Sequence, residues 1–245
     1  MADESNAPEP GFKPEAAAKR AAEQVVEFAE QLVIGESRWP AAVAIAGTIV
    51  LHLTMPERLT VGPNWLFPVL LSVALIPLLI ATPRRSAESA RWTRVLSLVL
   101  LGALAVTNFV SIGILIHEIL VGRRSDITGQ KLIWTAVNLW LTNVVVFGLS
   151  YWEIDAGGPE KRSDMDPPHP DFLFAQMTVP ELFAPTSWRP VFIDYLYVSF
   201  TNSTAFSPTD TMPLTPRVKL LMGLQAGVSL ITVALVAARA VNILG

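Results

Sequence analysis

Residues 95–121 read VLSLVLLGALAVTNFVSIGILIHEILV, and this run decides the fold class. It carries no charged side chain before Glu118. It also exceeds the roughly 20 apolar residues that carry a helix across a bilayer core about 30 Å thick. Four further stretches on either side have the same character: Trp39 to Met55, Asn64 to Thr82, Leu132 to Tyr151 and Leu220 to Leu244. Trp39, Trp65, Trp92, Tyr151 and Trp152 stand at the ends of these spans, where aromatic rings favour the lipid–water boundary. The expected fold is an all-α integral membrane protein with five transmembrane helices. A sixth apolar piece, Val191 to Phe200, is too short to cross and reads as a short re-entrant helix between spans four and five.

Composition agrees. The 245 residues are 51% hydrophobic and only 16% charged, with a mean hydropathy of +0.45. An ordinary soluble domain carries about 25% charge. The absence of cysteine excludes a disulfide scaffold, a thiolate metal site and a cysteine nucleophile. The three histidines lack metal-ligand spacing, and neither a Gly-rich phosphate loop nor a nucleophile elbow is present. No enzyme, metal or cofactor is therefore expected, a monovalent cation excepted. A net charge of −3 argues against a nucleic-acid partner.

The chain divides into five parts. Residues 1–13 are polar, Pro-rich and expected to be disordered. Residues 14–36 read as an amphipathic helix, with Val25, Phe28, Leu32 and Val33 against Lys19, Arg20, Glu23, Glu27 and Glu30. This helix packs on its own domain, lies on the membrane surface or meets another subunit. Residues 39–151 hold spans one to four, and 152–190 form a Pro-rich connection. Its stretch from Asp171 to Phe183 is apolar enough to fold as a cap over the short helix. Residues 191–245 hold the short helix, a polar strip and span five.

Lysine and arginine favour the cytoplasmic side. Five spans put thirteen of the eighteen, including Arg84, Arg85, Arg91, Arg94, Lys161, Arg162, Arg189 and Arg217, on the side of the N-terminus. That side is expected to be cytoplasmic, with the C-terminus outside.

Polar groups inside spans are costly in lipid, so each is a candidate site. His117 and Glu118 read as an interfacial pair or as a proton or cation relay, and His52 as interfacial. Asn138 and Asn143, like Thr107, Asn108 and Ser111, read as hydrogen-bonding glue between helices or as pore lining. Gly223 and Gly227 form a small-xxx-small pattern, and Gln225 is free to face a cavity.

The most informative pattern is Tyr195-Leu-Tyr-Val-Ser-Phe-Thr-Asn-Ser-Thr-Ala-Phe-Ser-Pro-Thr-Asp210, followed by Pro213, Thr215 and span five. It resembles the pore module of two-helix potassium-channel-like proteins: outer helix, pore helix, filter strip, inner helix. Asp210, Pro213 and Thr215 match the frame that follows that family's filter. The strip Thr201, Asn202, Ser203, Thr204, Ala205, Phe206, Ser207, Pro208, Thr209 and Asp210 stands at the filter, with Asp194, Tyr195 and Tyr197 on the helix before it. The filter is degenerate. Ser207 and Thr209 replace the glycines, Pro208 the aromatic residue and Ala205 the threonine. A carbonyl-lined filter needs residues at positive φ, which β-branched Thr209 and fixed-φ Pro208 oppose.

The resemblance implies a weakly selective cation pore without a potassium-selective filter, built as a homo-oligomer, a tetramer if pore-like, in a lipid bilayer. The whole chain is also similar to uncharacterised bacterial membrane proteins of unknown function, which implies the bacterial inner membrane. Two alternatives stand: a non-conducting structural or accessory membrane protein, and a small secondary transporter using the broken segment as its site.

Overall fold

The computed structural model describes residues 39–55, 65–70, 72–73, 87–121, 129–162, 167–183, 188–205 and 210–244. The expected N-terminal tail and amphipathic helix, most of the second span and the strip residues Phe206, Ser207, Pro208 and Thr209 lie outside them.

Among the described residues the main helices are α1 (Trp39–Leu53), α2 (Ala87–Val121), α3 (Gly129–Ile154), α4 (Phe192–Thr204) and α5 (Pro216–Leu244). Three of them contain segments long and apolar enough to cross a membrane: Arg94–Leu120, Gln130–Gly157 and Pro216–Ala237. Helix α1 has 15 residues, a length of ~22 Å, and falls short of a full hydrocarbon core. Residues 66–70 continue helically after it, and Phe67 stacks on the ring of His52 at 4.1 Å.

Helix α3 is the central element. Two-thirds of its apolar window is buried (67%), against 22% for α5. Helix α2 packs antiparallel along one side, with Phe109 meeting Phe147 near mid-height and Arg94 beside Gly157 and Gly158 at one end. Helix α5 runs antiparallel to α3 as well: Tyr151 meets Gln225, and further along Asn143 meets Ser229. The short α4 fits between α3 and α5. Its approach to α3 is close because residue 148 is glycine; a Cβ there would lie 3.1 Å from the Leu196 Cα.

The end of α3 where α2 begins is built from sequence-local causes. Ala156, Gly157 and Gly158 adopt positive φ and turn the chain out of the helix. The last carbonyls are satisfied by the Arg162 guanidinium, which donates to the Trp152 oxygen at 2.7 Å and the Asp155 oxygen at 2.8 Å. Arg162 is placed by one helical turn, Pro159–Arg162.

A two-stranded antiparallel ribbon, β1 (Phe172–Phe174) with β2 (Thr211–Pro213), then covers this end, pairing Phe172 with Pro213 and Phe174 with Thr211. The ribbon adds β structure to a chain expected to be all-α. Three-residue strands carry no periodicity by which a sequence reading finds them. Phe172 and Phe174 set their rings 6.0 and 5.4 Å from that of Tyr195, so the connecting segment caps the start of α4. Helix α5 starts at the same end, with Pro216 at its first position, where proline costs no hydrogen bond.

Candidate functional site

The strip residues divide by the face of α4 that carries them. Helix α4 starts with the Asp194 carboxylate accepting the Val191 N–H at 2.8 Å. It ends where the Ala205 N–H reaches the Thr201 carbonyl at 2.8 Å. Its inward face carries Tyr195, Ser199, Asn202 and Ser203, all buried.

Gln225 of α5, fully buried, is the hub of that face. Its amide nitrogen donates to the Ser199 hydroxyl at 2.6 Å and the Ser203 hydroxyl at 2.9 Å. Its oxygen accepts from the Tyr151 hydroxyl at 2.6 Å and the Asn202 amide at 2.9 Å. Asn202 also donates to the Met222 carbonyl at 2.9 Å, and the Ser199 hydroxyl to the Val144 carbonyl at 2.7 Å. Gln225 is thus bonded through both amide atoms to α3 and α4, and the cluster ties three helices together. The signal in the sequence was a single glutamine in an apolar span; its partners Tyr151 and Ser199 carry no spacing rule that links them.

The outward face is different. Thr204 and Ala205 are exposed and Thr201 is half-buried. The Thr201 hydroxyl donates to the Tyr197 carbonyl and the Thr204 hydroxyl to the Phe200 carbonyl, each at 3.0 Å. A hydroxyl that donates backwards keeps its acceptor lone pairs pointing away from the helix.

Asp194, Tyr197 and Asp210 meet around one open cavity of about 430 Å³, which β1 and β2 close on the other side through Phe174 and Thr211. No cation pairs with Asp194 or Asp210 among the described residues.

A second cluster, which the sequence reading missed, holds the capped end together. Asp155 and Asp171 are both fully buried. The Asp155 carboxylate accepts from the Tyr195 hydroxyl at 2.5 Å and from the Asp171 and Phe172 N–H groups at 2.6 and 3.2 Å. The Asp171 carboxylate accepts from the Thr215 hydroxyl at 2.6 Å, from the Ala156 N–H at 3.2 Å and from both branches of the Arg217 guanidinium. Burial by itself raises the Asp171 carboxyl, but Arg217, Thr215 and the Ala156 amide hold it below the usual aspartate value.

Among the other candidates, Asn138 donates to the Thr54 hydroxyl at 3.2 Å and Asn143 to the Ser229 hydroxyl at 3.1 Å, so both link helices or their ends. Asn108 and Ser111 are buried without a protein partner among the described residues. His117 is exposed and Glu118 half-buried near the end of α2. The described residues contain no group of three or more side chains suited to a metal ion. Compared with known proteins, the chain matches no family model, no curated protein and no solved structure.

Proposed function

We propose that this is a channel-like multi-pass membrane protein in which α4 is a re-entrant helix, and that small cations pass between copies of the chain. One observation carries this reading: α4 and α5 both start at the capped end of α3. Thirteen residues give α4 a length of ~20 Å, too little to cross. The ribbon register then sets the returning chain, Thr211–Pro213, beside the segment that packs on the start of α4. Entry and return on one side is the plan of a pore loop.

The negative end of the α4 dipole points into the bundle, which favours a cation there. Since Gln225 bonds Asn202 and Ser203, the path within a copy is closed to them. Thr201, Thr204 and Asp210 on the outward side supply the oxygens instead, and the walls come from neighbouring copies. Hydroxyls and a carboxylate without a carbonyl filter discriminate weakly among monovalent ions. Arg94, Arg162, Arg189 and Arg217 all lie at the capped end, which supports a cytoplasmic side for it.

The saturated Gln225 cluster favours a second reading, a non-conducting scaffold in which Ser199, Asn202 and Ser203 serve to satisfy a short helix at membrane depth. Cation flux into proteoliposomes separates the two. Conduction predicts flux that Asp210→Asn reduces and Thr204→Val alters in selectivity. Confirmed oligomers without flux leave the scaffold.

A further inference from the structure

We infer that α2, α3 and α5 form a binding site for a monovalent cation at the middle of the bundle, held by uncharged side-chain oxygens. Asn108 and Asn143 stand at the middle of the apolar segments Arg94–Leu120 and Gln130–Gly157, and Ser229 near the middle of Pro216–Ala237. Asn108, Ser111, Asn143 and Ser229 are each no more than 2% exposed. Ser111 follows Asn108 by three residues and shares its face of α2. Asn143 belongs to the stripe Ala136, Leu139, Asn143 and Phe147, whose spacing puts it on one face of α3. That face meets α2: the Phe147 ring lies 5.9 Å from that of Phe109, and Ala136 and Leu139 share an apolar cluster with Ile112 and Leu115. Asn143 donates to the Ser229 hydroxyl at 3.1 Å, which brings α5 to the same level.

The hydrogen bonding of this seam is incomplete. Neither amide atom of Asn108, nor the Ser111 hydroxyl, nor the Asn143 oxygen has a protein partner among the described residues. Polar atoms left so at membrane depth cost free energy, and the low dielectric raises that cost. The Gln225 amide, by contrast, is bonded through both of its atoms. A helical serine hydroxyl can donate to the carbonyl four residues back. The seam then presents four oxygens against one carboxamide NH2. Such oxygens replace the hydration shell of a small cation, and a water retained by the ion accepts from the Asn108 amide. Divalent ions call for carboxylates; these four residues offer none, and the described residues hold no cluster of His, Asp or Glu for them. The site lies inside one copy and does not rest on ions passing between copies.

The test uses the full chain in detergent with radioactive sodium as probe and choline chloride to hold ionic strength constant. Saturable sodium binding, with a melting temperature that rises over the same concentrations, is the expected result. Asn108→Leu should abolish both effects. It removes the two unpartnered amide atoms at similar volume, a change that is ordinarily neutral or stabilising for the fold. Asn108→Asp keeps the shape and adds a charge, and should tighten sodium binding about tenfold or more. If Asn108→Leu fails to fold, Asn108→Asp decides: an affinity for sodium no tighter than the parent's overturns the inference. Binding that is absent or non-saturable in the parent overturns it too, and leaves the seam to water alone. Saturable binding that persists in Asn108→Leu but is lost in Asp210→Asn belongs to the proposed pore strip and also overturns it. Absence of flux in proteoliposomes, with sodium binding intact, counts against the pore and not against this site.

Discussion

Two tyrosines two residues apart in sequence have opposite roles. Tyr195 is fully buried and donates to the Asp155 carboxylate; Tyr197 is 53% exposed. Removing the Tyr195 hydroxyl leaves a buried carboxylate short of a donor, at a cost of about 1–3 kcal/mol. Tyr195→Phe should therefore lower the unfolding temperature in detergent clearly, while Tyr197→Phe stays within about 0.5 kcal/mol of the parent. Equal effects would show that the bond to Asp155 contributes nothing. Asp171 gives a pH dependence of known sign. Its carboxyl is held below the unfolded value, so its contribution is present above that value, 3.8, and is lost as pH falls through the folded one. Melting temperature should fall on acidification into that range, and Asp171→Asn, already destabilised at neutral pH, should show a shallower fall. A slope unchanged by the substitution would contradict the assignment. None of this was legible in the sequence. Asp155 and Asp171 stand in a Pro- and Gly-rich connection where carboxylates ordinarily face water, and only the folded ribbon brings Thr215 and Arg217 to them.

At the scale of elements, the sequence reading carried furthest where one physical rule sufficed. Apolar length alone located α2, α3 and α5, three of the five spans expected, with α2 beginning eight residues earlier, at Ala87, than the span drawn from Val95. It located α4 as a short helix for the same reason. What it could not supply was the division of α4 into an inward polar face and an outward one. Thr201, Asn202, Ser203 and Thr204 are consecutive and alike in polarity, and only the position of Gln225 on α5 sorts them. The contact between α3 and α4 depends on Gly148 in the same unannounced way. Its added Cβ would press on the Leu196 backbone, whereas nothing lies within 4 Å of one at Gly113. Gly148→Ala should cost about 1–3 kcal/mol through overpacking. Gly113→Ala should be neutral or stabilising by up to about 1 kcal/mol, the helix-propensity gain. Thermal unfolding of both in one detergent decides. A neutral Gly148→Ala would mean that α4 is held loosely.

At the scale of the whole molecule, the account rests on one topological statement. Helix α4 starts at the capped end and runs part way along α3, and the chain is back at that end, at Thr211–Pro213, before α5 begins; the proposed function reads this as a re-entrant loop. Arg94, Arg162, Arg189 and Arg217, which the sequence reading put on one side, gather at this end, which the proposed function takes as cytoplasmic. The chain contains no cysteine, so single cysteines report sidedness without background. Leu182 precedes α4 and is 75% exposed, Met212 follows it and is 64% exposed, and Gln130 stands exposed at the other end of α3. The measurement is labelling of Leu182→Cys, Met212→Cys and Gln130→Cys with a membrane-impermeant maleimide, in intact cells and in inverted vesicles. The account predicts that Leu182→Cys and Met212→Cys label only in inverted vesicles and Gln130→Cys only in intact cells. Labelling of Leu182→Cys and Met212→Cys from opposite sides would mean that α4 crosses the membrane, and would contradict it.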